Sequence, residues 1–354
     1  MGNRLNDRIQ NIPGKDLTAI LSKIASIDEF KGWWKGAGAL NPQTLGRLKR
    51  SIVITSAGAS TRIEGSRLSD KDVEKLLKGL SVSKLKDRDS QEVAGYAEVL
   101  ELVFDSYGDI SFTEGVILQF HSMLLKYSEK DKIPKGKYKR SPNKVVAVGK
   151  TGSGAVLFDP TEPHLVAFEM TELIEWTRKH LKDGEFHPLL VIANFILEFL
   201  AIHPFHDGNG RLSRILTNLL LARAGYTYIP YASIEKIIED HKVEYYLALR
   251  EGQKRIKSPK APVAKWMKFF LDVMIRQIEV LKSFIEERPV ETFLSANQQK
   301  VLGLFEKHEE ISTKIVSAKL KIPSVSAKQI LGRLFDLKMI KRIGSGRSTR
   351  YRRS

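Results

Sequence analysis

Residues 203 to 214, HPFHDGNGRLSR, carry an imidazole, a carboxylate, two glycines, an asparagine and two arginines, directly after LLVIANFILEFLAI (189–202), whose one charge is Glu198. Gly208 and Gly210 permit backbone conformations that turn successive N–H groups toward one point, and these lead into a helix N-terminus expected near Arg211, an arrangement that binds anions. Arg211 and Arg214 stand at i and i+3 on one face of the first turn, where the helix dipole is already positive. Two cations there are unfavourable unless an anion visits, and the guanidinium fork suits phosphate oxygens. Asp207 adds a hard oxygen ligand of the kind that holds Mg²⁺ coordinated mostly by phosphates and water. His203, with an ordinary pKa of about 6.5, can take a proton from an incoming hydroxyl at neutral pH. Together these groups suit phosphoryl or nucleotidyl transfer. His203 and His206 in an HxxH spacing lack the glutamate and the i+4 register of a zinc protease.

The elements that must position this loop are helical. Apolar residues recur at three- and four-residue spacing through 15 to 30, 43 to 64, 91 to 104, 112 to 127, 164 to 181, 187 to 202, 211 to 224, 241 to 250 and 262 to 286. Pro204 disfavours helical backbone for the residue before it, so the apolar helix should end near His203. The exception to the helical pattern is KVVAVGKTGSGAVLFDP (144–160), which predicts a β-hairpin with a Gly/Ser turn. GKT in that turn is no phosphate-binding P-loop, because Lys144 stands where its first glycine belongs.

HPFHDGNGRLSR matches every defined position of the Fic motif, HPFx(D/E)GN(G/K)RxxR, and the chain resembles that family over roughly residues 45 to 255, with the hairpin and FDPTEPHLVAFEMTELIEWTRKH preceding the motif. Most members transfer AMP from ATP to a Ser, Thr or Tyr hydroxyl of a target protein. By that resemblance His203 would be the general base, Asp207 the Mg²⁺ ligand, and Gly208, Asn209 and Gly210 the anion hole. Arg211 and Arg214 would contact the β- and γ-phosphates, and Phe205 would anchor the loop and adjoin the nucleotide. Doc-type kinases of the superfamily carry Lys in the place of Gly210 and Ala in that of Gly208, so the chain is similar to the adenylylating kind. The resemblance makes Val145, Val146, Ala147 and Val148 part of a flap that docks a target segment by strand addition. In KVEYYLAL (242–249), Tyr245 or Tyr246 would line the base pocket, although a core aromatic fits the same pattern.

Upstream, ASTRIEGSRL (59–68) ends a helical pattern at Gly65, with Ser60 and Glu64 on one face. Taken alone it is an ordinary solvated helix end. Beside the Fic motif, SxxxEG resembles the inhibitory (S/T)xxxE(G/N) motif of the class with an N-terminal inhibitory helix, in which Glu64 would pair with Arg214 in the γ-phosphate place. A carboxylate–guanidinium contact of ~4 Å is worth on the order of 4 kcal/mol at an effective dielectric near 20, before desolvation.

The 354 residues carry a formal charge of +17 and no cysteine, which excludes disulfides and thiolate metal centres. No secretory or myristoylation signal and no span-length apolar run is evident, so the expectation is a cytoplasmic protein with no membrane partner. Residues 290 to 354 hold 14 Lys and Arg against 5 Asp and Glu, a net +9 that marks a separate basic module. Its pattern of helix, helix, longer helix capped by Ser324 and glycine-containing basic hairpin is the order of a winged helix. Lys328, Arg333, Arg347 and Arg350 would face phosphate if DNA binds, and protein contact is the competing use.

The resulting expectation is an all-α protein with one β-hairpin flap and a small C-terminal winged helix-turn-helix. The boundaries are 1–100 for an N-terminal helical region including an inhibitory helix at about 43–64, 101–255 for a Fic core, 256–289 for a linker and long helix, and 290–354 for the winged domain. The functional expectation is an ATP- and Mg²⁺-dependent protein adenylyltransferase acting on a hydroxyl of a target and of itself. A DNA-binding regulator with a nucleotide-sensing core, and removal of AMP by the same site, are the alternatives. Residues 1 to 40, with Trp33 and Trp34, are apolar enough to pack or to form a homodimer.

Overall fold

The computed structural model describes residues 3–36, 42–79, 87–128, 134–143, 145–148, 154–286, 294–306, 308–337, 339–344, 346 and 349–353. The chain divides into two compact units, one of Met1–Gly36 with Lys49–Leu281, the other of Ala37–Leu48 with Lys282–Ser354.

The larger unit is helical. Its elements in chain order are α1 (Arg4–Gln10), α2 (Gly14–Gly36), α3 (Pro42–Ile63, of which the part from Lys49 belongs to this unit), α4 (Asp70–Lys78), α5 (Arg88–Ser106), α6 (Glu114–Leu124), the hairpin β1 (Val145–Val148) and β2 (Gly154–Phe158), α7 (Pro163–Asp183), α8 (Pro188–Ile202), α9 (Asn209–Arg223), α10 (Ile234–Asp240), α11 (Lys242–Gln253) and α12 (Ala264–Glu286, of which the part to Leu281 belongs to this unit). Helices α2, α3, α5 to α9, α11 and α12 occupy the segments that the apolar spacing marks. Three short helices, α1, α4 and α10, carry too few turns to register as periodic. β1 and β2 pair antiparallel with a bulge between Val145 and Val146.

Helix α8 is the axis of this unit. Every residue from Leu189 to Ile202 is buried, and α8 packs against α7 and α9 while α5 packs against α6 and α9. Pro188 at its first turn supplies the preset φ of a helix start, and Pro204 beyond its last turn stops it. The single charge in this apolar stretch is compensated: Glu198 is fully buried, with Arg8 at 2.7 Å and Arg4 at 2.9 Å, both from α1. A buried carboxylate requires such partners, which accounts for Arg4 and Arg8 in MGNRLNDRIQ.

The smaller unit contains α13 (Ala296–Leu304), α14 (Thr313–Leu320), α15 (Ser324–Asp336) and the antiparallel pair β3 (Ile340–Ile343) and β4 (Arg350–Arg353), with a bridge between Ile311 and Tyr351. Leu294, Val301, Ile311, Val316, Leu331, Leu334, Ile340 and Tyr351 form its own core. The element order is the one its sequence suggests. One detail differs: Pro323 is the N-cap of α15 and makes no side-chain cap bond, so Ser324 opens the helix instead of capping it. Lys328 and Arg350 are exposed and Arg333 is half-buried, while Arg347 lies outside the described residues.

Candidate active site

The chain leaves α8 at His203, which has φ 50° and ψ 61°, a left-handed conformation unusual for a side chain other than glycine. Its N–H still closes the helix on the Phe199 carbonyl at 2.9 Å. The imidazole is half-buried at the mouth of the loop, with the Phe158 ring of β2 edge-on at 6.4 Å. Burial, and next the positive charge of Lys139, hold its pKa down to about 4. At neutral pH it is uncharged and able to accept a proton.

The loop is fastened from inside. Phe205 is fully buried and stacks on His121 with ring centroids 3.8 Å apart. Asn209 accepts from the Phe205 N–H at 3.0 Å and donates to the Phe205 carbonyl at 2.7 Å. Its side chain is therefore a staple across the turn. Gly208 has φ 83°, a backbone conformation that a side chain would strain, and it is the N-cap of α9. The first intrahelical bond runs from the Leu212 N–H to the Gly208 carbonyl at 2.8 Å. The N–H groups of Asn209, Gly210 and Arg211 thus belong to the first turn, where helices offer donors to anions.

Two arginines flank this turn. Arg211 is almost fully buried, paired with Asp207 at 2.9 Å and with Glu92 of α5 at 3.1 Å. Asp207 also accepts from the Gly208 N–H at 2.7 Å, and Arg88 approaches it at 3.8 Å. Arg214 is 2% exposed. Its Nε donates to the Ser60 hydroxyl at 2.8 Å, and its second guanidinium nitrogen donates to the Ser60 carbonyl at 2.9 Å and to Glu64 at 2.8 Å. Burial would lower the Arg214 pKa, but Glu64 and neighbouring tyrosines outweigh it and raise the pKa further.

Glu64 stands just past the end of α3 and over α9. A Cβ on Gly210 would lie 2.2 Å from the Glu64 Oε1, so the carboxylate rests directly on the first turn of α9. The end of α3 is in turn held by Arg62, whose guanidinium bonds Glu239 of α10 at 2.5 and 3.0 Å and pairs with Asp70 at 2.9 Å. Tyr246 is 38% exposed, with its hydroxyl 3.4 Å from the Ile63 carbonyl. Tyr245 is buried, packs against Trp266 and Phe269 and hydrogen-bonds Arg214. The strand pairing of Val145, Val146, Ala147 and Val148 is described, but their side chains lie outside the described residues.

Sequence reading missed Lys139, Asn143 and His121, which no motif marks. Lys139 and Asn143 hold the loop from the segment before β1, and His121 lies beneath it, with Nε2 at 3.1 Å from the Asp207 carbonyl. Among the described residues no three His, Asp or Glu side chains gather as a metal site. No described helix is long and apolar enough to cross a membrane.

Residues 111–221 match the family model of the Fic/DOC family. The protein adenylyltransferase fic-1 of Caenorhabditis briggsae is 26% identical over 211 residues, 58% of this chain and 38% of that protein. The protein adenylyltransferase Fic of Aedes aegypti is 36% identical over 130 residues, 37% of this chain and 22% of that protein. The chain thus spans less than half the length of these relatives. Among solved structures, a Fic family protein from Desulfovibrio desulfuricans superposes with a TM-score of 0.60 at 23% identity, covering 95% of this chain and 96% of that one. Residues 111–221 of this chain are thus similar to the Fic/DOC family.

Proposed function

We propose that the chain transfers AMP from ATP to a hydroxyl side chain of a target protein, and to itself, and that Glu64 restrains the transfer. The observation that carries this reading is the loop itself: an uncharged His203 closes α8, the first turn of α9 follows with Arg211 and Arg214 on it, and Glu64 lies on Arg214 and on that turn. The adenylyltransferase names of the relatives support it.

The chemistry follows from the groups present. The first-turn N–H groups and the guanidinium groups bind the triphosphate and oppose the charge that develops on it. The target hydroxyl oxygen bonds to the α-phosphorus, the bond from that phosphorus to the bridging oxygen breaks, and pyrophosphate leaves. The hydroxyl proton passes to the His203 imidazole. Asp207 fits Mg²⁺ as a single hard-oxygen ligand beside the phosphate position, with phosphates and water as the other ligands. When bound, the ion would neutralise phosphate charge. The hairpin β1–β2 offers a backbone edge to a target segment. Glu64, on Arg214, competes with the terminal phosphate for the same guanidinium.

Incubating the Glu64→Gly protein and a bacterial lysate with α-labelled ATP tests this reading. Covalent label on protein hydroxyls supports it, and a folded protein that leaves no label on itself or the lysate contradicts it.

A separate role for the C-terminal unit is contact with DNA. Lys328, Lys341, Arg342, Arg350 and Arg353 are all exposed on α15 and on the strands β3 and β4, which supports it. A salt-dependent mobility shift of duplex DNA by the full chain is expected, and none at low salt contradicts it.

A further inference from the structure

Lys139 is 3% exposed, unusual for a lysine. Its backbone N–H donates to the Pro204 carbonyl at 2.9 Å, and its ammonium donates to the Ile202 carbonyl at 3.3 Å and to Asn143 Oδ1 at 2.7 Å. Asn143 then donates to the Phe205 carbonyl at 3.0 Å. The carbonyls immediately before and after His203, and the one beyond, are therefore all gripped by a five-residue segment that lies some sixty positions earlier in the chain. His203 between them holds a left-handed backbone, which persists only where the surroundings impose it. Ile202 is the last residue of α8, so the ammonium also sits at the negative end of that helix.

We propose that Lys139 is the positioning residue for His203: its backbone and buried ammonium hold the flanking carbonyls so that the imidazole stays at the mouth of the α9 turn. This rests on the proposed transfer only for its effect on rate. A further consequence is electrostatic. The ammonium repels a second positive charge, and so keeps the imidazole in its proton-accepting form, while Glu64 and Asp207 act in the opposite sense on His203. Lys139 itself is held down to about 8, chiefly by burial, with Glu162 and Glu169 opposing and Lys257 assisting that fall. Burial is the larger cause of the low His203 value and the Lys139 charge the second, with the Leu200 backbone also acting in the opposite sense, so loss of the ammonium removes part of the depression.

The test uses the full chain and two readouts. The first is the NMR titration of the His203 imidazole, which needs no turnover. In Lys139→Met, which keeps the length and loses the charge, the midpoint is expected to rise above about 4 while staying below the ordinary histidine value, because burial, the larger cause, remains. In Lys139→Arg it is expected to stay. The second readout is AMP transfer in the Glu64→Gly background. Lys139→Met should lower kcat about tenfold or more with KM for ATP within about twofold, and its acid limb should move to higher pH; Lys139→Arg should restore kcat. An unmoved His203 midpoint with unchanged kcat in Lys139→Met overturns the proposal. If Lys139→Met does not fold, Lys139→Gln replaces it, with the same upward shift expected and the same null result decisive. Should no protein in the series transfer AMP while the His203 midpoint still shifts, the adenylyltransferase reading fails and the positioning role stands.

Discussion

The Glu64 carboxylate accepts from Arg214 at 2.8 Å while resting where a side chain at position 210 would begin. One carboxylate thus occupies both the guanidinium and the first turn of α9, the two places assigned to the triphosphate in the proposed function. The contact is between a buried cation and a half-exposed carboxylate, so it can be broken without unfolding the site: the side chain of Glu64 is 34% exposed and that of Arg214 is 3% exposed. Removing the carboxylate by Glu64→Gly should raise auto-adenylylation about tenfold or more, the effect of ~1.4 kcal/mol on a competing state. Label incorporation measures it, and an unchanged rate in a folded variant contradicts the restraint.

The proposed restraint would also depend on what holds the end of α3. Arg62 ties it to Glu239 and Asp70, neither of which touches the motif loop. Arg62→Ala should therefore raise transfer by a smaller factor, about two- to fivefold, with Glu64 intact. A rate equal to that of the unaltered chain shows that the latch on α10 does not contribute.

Ser60 donates nothing to catalysis in this account, yet it accepts from Arg214 twice, through its hydroxyl and its carbonyl. Ser60→Ala removes the hydroxyl acceptor from a buried guanidinium. A loss of roughly 2 kcal/mol in unfolding free energy is expected, read from the urea midpoint, and no shift in that midpoint contradicts the bond.

The pH dependence follows from the low value of His203. Burial and the charge of Lys139 hold it at about 4, and the reaction requires the uncharged ring, which is the form present above that value. As pH falls from about 7.5 to about 5.5, kcat/KM for ATP should stay within about twofold, where an ordinary histidine near 6.5 would lose about tenfold. A tenfold fall over that range, with circular dichroism unchanged, contradicts the depressed pKa.

Much of the site could be read from the chain because its parts lie in twelve consecutive residues, HPFHDGNGRLSR. Backbone conformation there follows from local chemistry: Pro204 ends α8 and Gly208 allows the positive φ that opens α9. The helical elements were legible where they have three or more turns of apolar spacing. What the chain hid are contacts between distant segments. Lys139, Asn143 and His121 carry no motif, and their places appear only when the segment before β1 and helix α6 close around the loop. The motif does not disclose that the Asn209 side chain bonds both the N–H and the carbonyl of Phe205. Tyr245 and Tyr246 are adjacent and chemically alike, and only packing buries the first beside Arg214 and leaves the second partly exposed.

The most direct test of the account compares intact masses of the Glu64→Gly protein and the Glu64→Gly, His203→Ala double variant after incubation with ATP and magnesium. The account predicts that the first gains one or more AMP groups and the second gains none while still binding ATP. Equal AMP incorporation in the two would contradict the role of His203 and, with it, the reading of the loop as a transfer site.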